Sequence, residues 1–200
     1  MNKDKTALLL IDIQNDFCAS NGVMAKIGKS MNNIHAAMPN IHHLLNFCRQ
    51  ESILPIFIRT EHGIHTDSQP WKKRLDLSSS DLGICTTEEG QSFFEIQPLE
   101  GEPIITKNRY SAFIGTNLDL ILRTKGIETI VLCGFTANVC VESTARQGFM
   151  MNYRTITLTD CIASYEDHEY ESAVYNLKTY FGEVMDSADF IEQIAINLRL

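Results

Sequence analysis

The sequence predicts an α/β fold: a parallel sheet buried on both faces, with helices packed on either side. Two observations carry that expectation. Five apolar runs, Ala7 to Ile13, Ile53 to Ile58, Pro103 to Thr106, Thr129 to Phe135 and Thr155 to Leu158, are short and rich in Ile, Leu and Val, as strands covered on both faces are. Between them lie stretches whose apolar residues recur at steps of three and four, the spacing of one helical stripe. Repeated βαβ units with right-handed crossovers then put helices on both faces.

Taken in order, the first run ends on Asp12. Ile34, Met38, Ile41, Leu45 and Cys48 make the first stripe, with Pro39 expected in the first turn of its main part, where a missing N–H costs nothing. Leu118, Ile121 and Leu122 make the second, closed by Lys125-Gly126, a basic residue and a glycine in the order a helix C-terminus prefers. Val141, Ala145 and Phe149 make a third, and weaker patterns run from His168 to Tyr180 and from Ala188 to Leu198. The least regular segment, Glu61 to Gln97, holds His62, His65, Trp71, the Ser78-Ser79-Ser80 run and two Phe. It reads as a long excursion over one edge, a lid or an oligomer contact. No repeat, linker or low-complexity tract divides the chain, so residues 1–200 are expected to form one domain.

Composition excludes several classes. A chain of 200 residues that is 44% hydrophobic and 21% charged sits near globular averages, far from disordered, collagenous or coiled-coil sequences. Seventeen Lys and Arg against 25 Asp and Glu give a net charge of −8, which repels phosphate backbones and anionic lipid. Neither nucleic acid nor membrane is an expected partner. The stretch Ala7 to Ile11 is too short for the apolar part of an export signal and runs into Asp12. Six cysteines fall without CxxC or regular spacing, as reduced thiols of a cytoplasmic protein do.

Open parallel sheets bind ligands outside the carboxyl ends of their strands. Asp12 closes the first run, Lys107 closes the third, and Cys140 follows the fourth by five residues, where the third stripe begins. A carboxylate after four apolar residues needs a partner if buried; a helix cap or a structural pair would also satisfy it. Lys107 is either a strand-end lysine reaching water or part of a site. Cys140 stands out among the cysteines because a thiol in the first turn of a helix faces free N–H groups and the positive dipole end, both of which lower its pKa. Cys48, Cys133 and Cys161 fit as small core residues. If Asp12 and Lys107 converge on Cys140, the three supply a base, a cation and a nucleophile.

The start ALLLIDIQNDF, the middle ITKNRYSAFIGTNLDLILRTKGIETIVLCGFTANVCVESTARQGFMMNYRTITLTDCIAS and the order Asp, Lys, Cys resemble the isochorismatase-like cysteine hydrolases. The likeness is dense over residues 6–17 and 103–164 and loose over 61–100, and GFTANVCVESTA is its most specific piece. It implies a three-layer α/β/α sandwich around a six-stranded parallel sheet, a catalytic triad of Asp12, Lys107 and Cys140, and a nonproline cis peptide between Phe135 and Thr136. The N–H groups of Thr136 and Cys140 would then form an oxyanion hole. The implied reaction is hydrolysis of a C–N bond through a thioester, without cofactor or metal, by a homodimer or homotetramer. Within the family, KNRYSAF and NVCVEST are most similar to the branch acting on ureidoacrylate, biuret and N-carbamoylsarcosine. Small amide or ureido compounds are therefore the expected substrates.

Phe17, Trp71, Tyr110 and Phe113 are each either pocket wall or ordinary core, and Asn138 either touches substrate or caps the Cys140 helix. Metal-dependent nicotinamidases are the nearest alternative. They place an Asp and histidines after the second strand, where this chain has Glu61, His62, His65 and Asp67 without their Asp-x-His arrangement. True isochorismatases, which lack the cysteine, fit less well. A noncatalytic binding or scaffold member of the family is the alternative of another class.

Overall fold

The computed structural model describes residues 1–73 and 83–197. The Ser78–Ser80 run and Leu198 lie outside the described residues. The strands are β1 (Thr6–Ile11), β2 (Leu54–Thr60), β3 (Ile104–Lys107), β4 (Thr129–Phe135), β5 (Arg154–Ala163) and β6 (Glu183–Met185). The described helices are α1 (Asn15–Cys18), α2 (Val23–Lys26), α3 (Asn32–Gln50), α4 (Gln69–Lys73), α5 (Glu88–Gln91), α6 (Leu118–Thr124), α7 (Glu142–Met150), α8 (Asp167–Tyr180) and α9 (Ser187–Asn197). The strands form one sheet in the order β3-β2-β1-β4-β5-β6, and every pairing is parallel.

The strand period of two explains the two cores. Along fully buried β1, Leu8 and Leu10 join a cluster with Ile34, Met38 and Ile41 of α3 and Phe190 of α9. Ala7, Leu9 and Ile11 join the opposite cluster with Leu122 of α6, Ala145 of α7 and Leu177 of α8. A strand covered on both faces has no polar alternation, which is why β1 and β4 are legible as continuous apolar runs.

Three local expectations need correction. Pro39 lies inside α3, which begins seven residues earlier at Asn32. Pro39 and His35 are both exposed, so the carbonyl that loses its donor is on the solvent side of the helix. Phe149 is 46% exposed and packs edge-on against Phe181. Gly148 takes its inward place, since a side chain there would meet Ile130 and Phe113. β5 continues past Leu158 because its register against β4 shifts beyond Leu132, so that the four residues Leu158–Cys161 stand opposite the single residue Cys133 before Ile162 pairs with Gly134. Asp160 in that bulge binds the N–H and hydroxyl of Ser187 at the start of α9, so a polar residue inside the strand has its partners.

The strand order places the site. From β1 the chain proceeds outward to β2 and β3, then returns to β4 on the other side of β1. Loops leaving β1 and β4 therefore diverge, and a crevice opens between them at the carboxyl ends. Gly134 lets the two strands approach: its φ is 114°, and a side chain there would collide with the carbonyl of Ile11. Among the described residues no helix is long and apolar enough to cross a membrane.

Candidate active site

The ends of β2 and β3 and the turn after β4 form the floor of a cavity of about 240 Å³, to which Thr60, Lys107, Thr136 and Cys140 contribute. Asp12 lies behind this floor, fully buried. Its φ of 51° is left-handed, a conformation Asp tolerates better than most residues. Its N–H donates to the Ile58 carbonyl of β2 at 2.9 Å. The two carboxylate oxygens differ. Oδ1 accepts the Thr60 hydroxyl at 3.0 Å. Oδ2 lies 2.7 Å from Lys107 Nζ as an ion pair, but off the line of a hydrogen bond, so among the described residues no donor is aligned on it.

Lys107 closes β3 with Thr60 as its register partner on β2. Its side chain is 1% exposed, so the ammonium does not reach water. Nζ donates to Thr60 Oγ1 at 2.7 Å and to Cys140 Sγ at 3.5 Å, and faces Asp12 Oδ2 at 2.7 Å as an ion pair. Burial opposes the charge, yet the Asp12 carboxylate and the contact with Cys140 outweigh it and the Lys107 pKa is raised.

Cys140 sits in a wide helical turn, Ala137–Val141, where the Val141 N–H donates to the Thr136 carbonyl at 3.2 Å. The turn leads into α7. Thr144 of that helix accepts the Ala112 N–H and donates to the Cys140 carbonyl at 2.7 Å, tying the turn to the chain that follows Lys107. The Phe135–Thr136 peptide is cis. A helix start lowers a thiol pKa, but here the sign is reversed: burial raises it, the charge of Asp12 adds to the rise, and Lys107 opposes without cancelling it. The other five cysteines are fully buried.

Phe17, Trp71, Tyr110 and Asn138 line the cavity. Trp71 and Tyr110 have ring centroids 4.8 Å apart, and the Arg109 guanidinium lies 4.9 Å from the Trp71 ring. Phe113 belongs to the core instead, stacked on Tyr153 at 5.8 Å, because the chain after Tyr110 turns inward beneath α7. Asn138 makes no cap on the Cys140 turn; its Oδ1 accepts the Ser164 hydroxyl at 2.9 Å.

The acidic and imidazole groups after β2 do not converge. Glu61 pairs with Arg59 at 2.7 Å, His62 Nδ1 lies 2.9 Å from Asp67, and His65 is exposed. Among the described residues no group of three potential metal donors forms.

Sequence reasoning missed Thr60, Gln14 and Tyr165. Thr60 joins Asp12 to Lys107. Buried Gln14 holds Thr60, accepting its N–H at 2.7 Å and donating to its carbonyl at 2.9 Å. Tyr165 lines the cavity and donates to the Phe17 carbonyl at 3.0 Å. The apolar run Ile53 to Ile58 marked β2, but a threonine at a strand end carries no chemical signal of its own.

Comparison with known proteins agrees with this fold. A family model described as "Isochorismatase domain" matches residues 6–189. The ureidoacrylate amidohydrolase RutB of Yersinia enterocolitica is 31% identical over 98% of this chain and 91% of its own length. The crystal structure of a cysteine hydrolase from Pseudomonas syringae pv. phaseolicola superimposes with a TM-score of 0.84 at 26% identity, covering 98% of this chain and 94% of that one. The N-carbamoylsarcosine amidase of Thermoplasma acidophilum gives a TM-score of 0.72 at 25% identity, over 92% and 96%. A six-stranded parallel sheet, a match spanning nearly the whole fold and a full-length relative above 30% identity together establish that this chain belongs to the isochorismatase family.

Proposed function

We propose that this chain is a cysteine amidohydrolase that cleaves the C–N bond of a small amide, carbamoyl or ureido compound. One observation carries this reading: the Lys107 ammonium touches both Asp12 and Cys140 at the floor of a cavity of substrate size. The raised thiol pKa makes the neutral thiol the resting form. Asp12 accepts the Sγ proton as sulfur attacks the substrate carbonyl carbon. The N–H groups of Thr136 and Cys140 stabilise the tetrahedral oxyanion, a contribution of about 3 kcal/mol per donor in such sites. Protonated Asp12 passes the proton to the departing nitrogen, which leaves as ammonia or an amine, and a thioester remains. Water, losing a proton to the same carboxylate, cleaves the thioester to the acid, and the proton returns to sulfur. Lys107 keeps a cation beside the carboxylate and sulfur throughout.

The wall of the cavity supports a small planar substrate. Phe17, Trp71, Tyr110 and Tyr165 present aromatic surface, and planar amides and ureido groups stack on such rings. The names of the relatives, ureidoacrylate amidohydrolase and N-carbamoylsarcosine amidase, point to the same substrate class.

Ammonia release across a panel of small amides and ureido acids tests the reading, with Cys140→Ala as control. The expected result is turnover of at least one compound and its loss in the variant. Activity that survives the substitution removes Cys140 as nucleophile. Iodoacetamide gives a second readout, because Cys140 alone of the six cysteines lines the cavity and should be labelled far faster than the rest.

A further inference from the structure

We propose that Thr60 is a positioning residue that assigns different tasks to the two oxygens of Asp12. This inference rests on the thiol chemistry proposed above.

The direction of each hydrogen bond is fixed by chemistry. The Lys107 ammonium can only donate, so at 2.7 Å from Thr60 Oγ1 it must use a hydroxyl lone pair. The single hydroxyl proton is then free for Asp12 Oδ1, 3.0 Å away. An ammonium-to-hydroxyl-to-carboxylate chain results, running one way only. It occupies Oδ1 with a donor and leaves Oδ2 without an aligned one, so Oδ2 is the oxygen available to a proton from sulfur. The same hydroxyl draws one N–H of Lys107 sideways, which keeps the ammonium between Asp12 and Cys140 rather than directed wholly at the carboxylate.

Thr60 is itself immobilised. Gln14 grips its peptide groups on both sides, and because one is a donor and the other an acceptor, the amide of Gln14 has one possible orientation. The Gln14 amide also donates to the Gln91 carbonyl at 3.0 Å, linking this clamp to the end of α5. Both Gln14 and Thr60 are buried, so protein groups hold the Thr60 peptide groups in place.

The test compares Thr60→Val, Thr60→Ala and Thr60→Ser. Valine keeps the shape and removes the hydroxyl; alanine provides a second hydroxyl-free variant if valine does not fold; serine keeps the hydroxyl. Loss of the hydroxyl should lower kcat roughly 10- to 100-fold while KM stays within about twofold. The ionised carboxylate loses a donor, so the acid limb of the rate–pH profile should move to higher pH. Serine should restore both. A hydroxyl-free variant that keeps the parental kcat and pH profile overturns the proposal, as does a serine variant as impaired as alanine.

Alkylation separates this proposal from the reaction on which it rests. The pH dependence of iodoacetamide labelling at Cys140, read by peptide mapping, requires proton transfer but no substrate. If the unaltered protein hydrolyses nothing in the panel yet the labelling profile shifts in Thr60→Ala and returns in Thr60→Ser, Thr60 positions Asp12 and the amidase reading falls alone. If turnover is present and neither profile moves, the Thr60 role falls alone.

Discussion

The floor and the mouth of the cavity are built on different principles. At the floor, Asp12, Thr60 and Lys107 stand on or directly beyond adjoining strands, their backbones are fixed by sheet pairing, and their polar atoms are bonded to one another. At the mouth, Trp71 and Arg109 are only partly buried and meet through ring and cation contacts. Hydrogen bonds between strand ends fix positions to fractions of an ångström, whereas stacked rings define a shape and tolerate sliding. Substitutions at the floor should therefore act on kcat and stability, and those at the mouth on KM.

The largest effect is expected at Lys107. Replacing it with methionine keeps much of the volume but leaves the Asp12 carboxylate buried without its cation. Breaking a buried pair from one side costs about 3 to 5 kcal/mol, so urea unfolding of Lys107→Met should show a loss of that order and ammonia release should fall below detection. A variant as stable as the parent would mean that the pair is not the electrostatic anchor of the floor, and the contrast with the mouth would lose its basis.

Trp71→Ala addresses the other side. The indole forms the wall shared by His62, Tyr110 and Arg109. Its removal should raise KM roughly tenfold, with kcat within about threefold and the melting temperature nearly unchanged. A fall in kcat with KM constant would show that the mouth positions the reacting atoms, a task here given to the floor.

The same contrast explains what was legible in the sequence. Asp12, Lys107 and Cys140 could be singled out because a carboxylate, an ammonium and a thiol at strand ends or a helix start are costly or reactive there, and each draws attention as an individual residue. Thr60 and Gln14 carry no such cost; their importance lies in which groups they bridge, and that depends on the β1–β2–β3 register. Phe17 and Phe113 are chemically identical, and only the path of the chain sends one to the cavity and the other beneath Gly148. The thiol pKa departs from what the helix start implies for a related reason. A dipole is predictable from a helix start, whereas burial and the proximity of Asp12 are tertiary facts. β6, three residues with no apolar run, borrows its stability from pairing with β5, and periodicity cannot reveal it.

The smallest expected effect sharpens the comparison most finely. Arg109 donates Nη1 hydrogen bonds to the carbonyls of Thr66 at 3.0 Å and Asn108 at 2.6 Å while its guanidinium faces the Trp71 ring. Arg109→Lys keeps the positive charge but exchanges a planar fork for a point charge, which cannot hold two carbonyls and lie flat over an indole at once. A cation–π contact at a partly exposed site contributes about 0.5 to 1 kcal/mol. If that contact serves to hold Trp71 as a wall, KM should rise roughly two- to fivefold, in the same direction as in Trp71→Ala, while kcat stays constant. In the double variant the Arg109 effect should vanish, because a residue that acts through the indole has nothing left to position once the indole is gone. Additive effects in that cycle would instead place Arg109 in direct contact with substrate.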